Sequence, residues 1–79
     1  MIKVRQRVLE RRFNYICIDM YDEIFRFVKC RMQDSSRIYE VIDNIFHSVL
    51  DEVNSNRCVR KNCKNIVYGI AIKEIRKCL

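Results

Sequence analysis

Apolar residues recur at helical spacing in the second half of the chain. From Ile38 onward they lie alternately three residues and one residue apart, as in an amphipathic helix that buries one face. A basic connector follows at 54–61, and apolar spacing resumes from Ile66 to Ile75. The pattern predicts a long amphipathic helix, a basic loop at 54–61 and a C-terminal helix at 62–78.

The first half of the chain allows alternatives. Residues 20–32 have apolar positions at helical spacing, and the Asp-Ser-Ser at 34–36 is a typical helix break and N-cap. Those polar residues also fit the outer face of one helix spanning 20–53, so one long helix or a helix pair is expected there. Residues 13–19 fit either a short strand or a continued helix, and 1–12 form a basic N-terminal helix or arm.

Composition favours an all-α domain of three to four helices. The chain has 79 residues, 49% of them apolar, with one glycine and no proline, so its loops must be few and short. A single domain of this size has a marginal core, and we expect apolar surface to be left for a homo- or heterodimer partner. The residues predicted to form that dimer interface are Ile38, Val41, Ile42, Ile45, Phe46, Val49, Leu50, Val53, Ile66 and Ile70.

Charge is segregated along the chain. The net charge is +6, yet residues 13–53 hold four basic against eight acidic residues, and the excess of basic residues lies at the two ends. Clustered basic residues attract phosphate backbones through counterion release, so double-stranded DNA is the expected partner. The basic residues predicted to contact nucleic acid are Arg57, Arg60, Lys61, Lys64, Arg5, Arg7, Arg11 and Arg12.

The cysteines indicate a reducing environment. Their number is five, which is odd, and the charged N-terminus does not resemble a signal peptide, so an intracellular location is expected. Cys17 and Cys30 are predicted to be small core residues. Cys58, beside basic residues, is expected to have a lowered thiol pKa. Cys58 and Cys63 with His47 are too few ligands for a zinc site, and no metal is predicted.

Catalytic motifs are lacking in the sequence. The single glycine excludes the glycine-rich loops that bind nucleotide phosphates, and the adjacent carboxylate pairs at 22–23 and 51–52 do not share a helix face. No apolar run reaches the length of a membrane span. We therefore predict no enzyme activity, no cofactor, no small-molecule substrate and no membrane insertion.

Residues 36–75 resemble the histone fold. The segment 38–53 looks like the second half of the long central helix of that family, 54–61 like its second loop, and 63–70 like the start of its third helix. The resemblance implies a short, a long and a short helix, head-to-tail pairing with another histone-fold chain, and phosphate contact through the paired loops. It also implies a chromatin- or transcription-associated role in the nucleus. Asn65 stands where the family usually has an aspartate.

Two other interpretations compete. Residues 41–50 also resemble the second helix of a ribbon–helix–helix repressor, which would make 14–19 a strand and 20–32 the first helix, with Asn14 or Tyr15 facing the bases. A third hypothesis is a helical adaptor that binds only protein through its apolar stripe.

Overall fold

Helices make up the architecture throughout the part of the chain that the structure describes. The computed structural model describes residues 2–59 and 61–78, and the side chains of 7–59 and 61–78. Helix α1 spans Ile2–Arg31, a 3₁₀ turn spans Ser35–Arg37, α2 spans Ile38–Asn54 and α3 spans Cys63–Cys78. The predicted all-α class is confirmed.

Residues 13–19 lie inside α1, and the helical alternative for them is the one that the structure adopts. Ile16 and Met20 are buried and Phe13 is half-buried, so the apolar positions continue the stripe of residues 20–32 without a glycine or proline to interrupt it. The ribbon–helix–helix interpretation requires a strand at 14–19, and these residues form no strand.

The region 20–53 is two helices because the chain turns at Asp34. The carboxylate of Asp34 accepts hydrogen bonds from the backbone N–H of Ser36 at 3.1 Å and from its hydroxyl at 2.6 Å. These bonds favour the ionised carboxylate and lower the pKa of Asp34 below its usual value of 3.8. The turn is therefore stabilised above that pH and loses the contribution as the pH falls further.

The order of long and short helices along the chain differs from the expected one. The resemblance to the histone fold implies a long helix between two short ones, whereas here α1 has 30 residues, α2 has 17 and α3 has 16. The longest helix is N-terminal because the basic segment 2–12, the segment 13–19 and the apolar segment 20–31 join into one element.

The helices pack with α1 and α2 antiparallel. Arg12 of α1 donates a hydrogen bond to Asn56 just beyond the end of α2, whereas the ring of Phe25 contacts that of Tyr39 near the start of α2, with ring centroids 5.7 Å apart. At about 1.5 Å per residue α1 is about 45 Å long, which matches the 46 Å longest dimension of the molecule. The remaining dimensions are only 19 and 17 Å. The molecule is a narrow bundle built along α1.

The apolar stripe of α2 is the core of the chain itself. Seven of the α2 residues predicted to form a dimer interface are buried against α1 and α3, while Leu50, Ile66 and Ile70 are half-buried. The apolar face of α1 has the same helical spacing and packs against the apolar face of α2. The largest fully buried side chains among the described residues are Ile24, Val28, Val41, Ile45, Val49, Val53, Cys58 and Val67.

Tyr68 of α3 makes a polar and an aromatic contact with α1. The hydroxyl of Tyr68 donates to Glu23 Oε2 at 2.6 Å, and this bond raises the pKa of Tyr68. The ring of Tyr68 meets Phe27 edge-on at 4.9 Å, and the Arg31 guanidinium lies 3.7 Å from the centre of the Phe27 ring. Both the hydroxyl and the ring of Tyr68 therefore make contacts within the chain.

Candidate nucleic-acid interface

The basic loop starts at a defined helix end. Asn56 adopts a φ of 62°, in the left-handed region that asparagine tolerates better than most residues. Its N–H donates to the carbonyl of Val53 at 3.0 Å, and the next N–H, of Arg57, donates to Glu52 at 2.9 Å. This pair of bonds is a Schellman motif, which reverses the chain directly after the last turn of α2.

Asn62 holds the far side of the loop. Its Oδ1 accepts from the N–H of Val59 at 2.8 Å, and its Nδ2 donates to the carbonyl of Arg57 at 3.0 Å. Both bonds lie within residues 57–62, so the side chain ties the loop to itself directly before α3 begins at Cys63. The loop that carries the basic residues is therefore held by side-chain bonds at 57, 59 and 62.

One hydrogen bond joins the two basic regions of the sequence. Arg12 Nη1 donates to Asn56 Oδ1 at 2.9 Å, across 44 residues of sequence. The left-handed conformation of Asn56 places its side chain where α1 passes. The basic N-terminal part of α1 and the basic loop are thereby brought to the same end of the bundle.

A groove lies between α1, the loop and the start of α3. It has a volume of about 730 Å³, and the basic side chains along it are Arg11, Arg12 and Lys61. Asp19 is the acidic residue among its described lining residues. Positive charge therefore prevails along the groove, which suits an anionic ligand.

The floor of the groove is apolar. Val8 and Tyr15 stand seven residues apart on α1, which places them on one face of the helix, and they are 51% and 62% exposed. Ile16, Met20 and Val59 complete this apolar lining. The groove is not predicted by the sequence, in which the available indication is that Val8 and Tyr15 lie close to several arginines.

The other predicted contact residues lie around the groove or outside the described part of the chain. Arg7 is exposed one helical turn before Arg11, and Lys64 is exposed in the first turn of α3. Arg57 is exposed and its Nε lies 3.8 Å from Glu52 Oε2. The side chain of Arg5 and the whole of Arg60 lie outside the described residues.

The expectation of a lowered thiol pKa at Cys58 is wrong. Its side chain is fully buried, and burial raises the pKa of the thiol; Cys63 and Glu52 add to the rise, which Arg12 opposes. The loop turns Cys58 inward, so desolvation outweighs the nearby positive charge.

The other cysteines divide between the core and the surface. Cys17 is half-buried against the core, whereas Cys30 is exposed, so its prediction as a core residue is wrong. His47 is exposed on α2. Within residues 2–59 and 61–78, no three His, Cys, Asp or Glu side chains are placed to hold a metal ion together.

A second group of basic residues lies at the opposite end of the bundle. Lys73, Arg76 and Lys77 are exposed in the last two turns of α3, and Lys77 Nζ lies 3.1 Å from Glu74 Oε1. Cations at a helix C-terminus complement the helix dipole. This helix-dipole explanation does not apply to Arg11 and Lys61 in the groove.

Comparison with known proteins yields no relative. No protein-family model matches the chain, and neither a curated protein nor a solved structure is significantly similar to it. None of the described helices combines the length and the apolar composition needed to cross a membrane.

Proposed function

We propose that this protein binds nucleic acid, with double-stranded DNA as the expected form, through the groove between α1 and the basic loop. The observation that carries the proposal is the Arg12–Asn56 bond, which joins basic regions 44 residues apart into one positive surface. Arg11, Arg12 and Lys61 line that surface, and Arg7 continues it along α1. Phosphate groups are the chemistry that such a surface attracts.

The mode of contact follows from the site. The groove basic residues project from a helix and from a loop held by Asn56 and Asn62, so they are positioned before a ligand arrives. Arginine and lysine side chains in this arrangement neutralise backbone phosphates and give little base discrimination. We therefore propose binding that depends weakly on sequence, as a chromatin-associated protein requires.

Dimerisation is a separate part of the proposal. The head-to-tail pairing implied by the histone resemblance used the α2 stripe, which α1 and α3 cover here. A dimer would have to use surfaces such as the exposed side of α1, where Ile18 is 83% exposed. Two copies would double the small basic patch and strengthen phosphate binding.

The salt dependence of binding tests the proposal. A fluorescence anisotropy titration of the full chain with a labelled 20-base-pair duplex is expected to show binding at 50 mM salt. If roughly three or four phosphates are contacted, the affinity should fall by about 40- to 150-fold between 50 and 200 mM salt. Absent binding at 50 mM salt, or an affinity independent of salt, would exclude the nucleic-acid function.

A protein-binding adaptor is the second candidate. The apolar floor formed by Val8 and Tyr15, with basic residues at its edge, suits an amphipathic helix that carries acidic residues. This candidate predicts no duplex binding at any salt concentration, so the same titration separates the two functions.

A further inference from the structure

A second crevice lies between α1 and α2, away from the basic groove. It has a volume of about 350 Å³, in the range of small-ligand sites. Cys17 and Tyr21 of α1 form one wall, and Tyr39 and Phe46 stand on the α2 side. The crevice shares no lining residue with the groove proposed to bind nucleic acid.

Aromatic rings dominate this crevice and hold one another in place. Phe46 is only 8% exposed, whereas Tyr21 and Tyr39 are 42% and 69% exposed. The ring of Tyr21 stacks on Phe46 at 5.7 Å and on Phe25 at 6.4 Å, and Phe25 contacts Tyr39 at 5.7 Å. The two tyrosines are thus fixed through shared neighbours while a large part of each stays accessible to a ligand.

The charge of the crevice is negative. Glu40 and Asp43 line it, and its described lining includes no lysine, arginine or histidine. Arg37 Nε lies 3.6 Å from Glu40 Oε2, but the two side chains are 47% and 62% exposed, so an incoming cation can compete for this carboxylate.

We propose that the crevice binds a methylated ammonium group. Aromatic rings attract cations to their faces, and carboxylates beside them reinforce the attraction. A primary ammonium is strongly hydrated, whereas methyl groups reduce that hydration and add apolar surface that the rings can cover. The volume fits such a group on a small molecule or on a lysine side chain of a partner protein. This site is independent of the proposed nucleic-acid function.

Choline and its uncharged carbon analogue, 3,3-dimethylbutan-1-ol, provide the test, because they share a shape and differ in charge. Titration of the ¹⁵N-labelled full chain should shift the amides of residues 17–21 and 39–46 with choline, with the alcohol binding roughly three- to thirtyfold more weakly. n-Butylammonium should also bind more weakly than choline. A peptide carrying trimethyl-lysine that binds more tightly than choline assigns the ligand to a protein; equal affinity assigns it to a small cation.

Variants locate the site. Tyr39→Leu keeps an apolar side chain at an exposed position and should weaken choline binding roughly three- to thirtyfold, and Asp43→Asn should weaken it by about fivefold. Tyr15→Leu, in the other groove, is the matched control and should leave binding unchanged. Equal affinity for choline and the alcohol, equal affinity for choline and n-butylammonium, no choline binding, or unaltered binding by Tyr39→Leu would overturn the proposal.

Discussion

Replacing Arg7, Arg11 and Lys61 together by glutamate is expected to lower the affinity for duplex DNA by on the order of a thousandfold at low salt. Each reversal removes an attraction of about 0.7 kcal/mol to a phosphate roughly 6 Å away in water and adds a repulsion of similar size. Three reversals therefore cost about 4 kcal/mol, which corresponds to about a thousandfold in affinity. Arg12 is left intact because its bond to Asn56 helps to position the loop. All three side chains are exposed, so the fold should persist.

A matched variant tests whether the location of the basic residues or the net charge of the protein governs DNA binding. Arg26, Lys73 and Arg76 are also exposed, but they lie towards the other end of the bundle. Their triple replacement by glutamate changes the net charge by the same amount and should weaken binding by less than about tenfold at moderate salt, because distant charges are screened. Anisotropy titrations on both variants, with circular dichroism melts to verify folding, make the comparison. Equal losses would show that overall charge, not the groove, governs binding.

Replacing Ile45 by alanine is expected to have the largest effect on stability. Ile45 is fully buried in the middle of the α2 stripe, and its truncation leaves a cavity that the packed helices cannot close. The expected loss is about 3 kcal/mol in the free energy of unfolding. For a domain of this size that corresponds to a fall of roughly 12 to 25 °C in Tm.

Two controls show whether Ile45 serves the core of one chain or an interface between two. Ile72 is 41% exposed on α3, and Ile72→Ala should change the stability by less than about 1 kcal/mol. The destabilisation by Ile45→Ala should be the same at 10 and 100 µM protein if the α2 stripe is covered by α1 and α3. A Tm of the parent chain that rises with protein concentration, together with a loss of that rise in Ile45→Ala, would instead place Ile45 in a dimer interface.

The sequence was sufficient for the all-α class and for the buried face of α2, because helical spacing depends on local geometry. It left open whether 20–53 is one helix or two and whether 13–19 is strand or helix, since the polar residues at 34–36 fit both a break and an outer helix face. Periodicity shows that Val41, Ile45 and Val49 are buried, but it does not show what covers them. Here α1 and α3 cover them within one chain.

The sites depend on contacts that the sequence does not encode locally. The sequence shows both Arg12 and Asn56, but their hydrogen bond depends on the antiparallel packing of α1 on α2 and on the left-handed conformation of Asn56. The aromatic crevice likewise joins Tyr21 to Phe46, which lie on different helices. The pKa of Cys58 was misjudged because neighbouring residues in sequence were basic, whereas its thiol is buried.

A heteronuclear NMR titration of the ¹⁵N-labelled full chain with a short DNA duplex tests the central claim most directly, because it reports where the ligand lies. The largest amide shifts are expected on residues 7–15 and 57–64, which surround the groove, and they should diminish as salt is raised. Shifts concentrated on residues 73–78, or an unchanged spectrum at 50 mM salt, would contradict it.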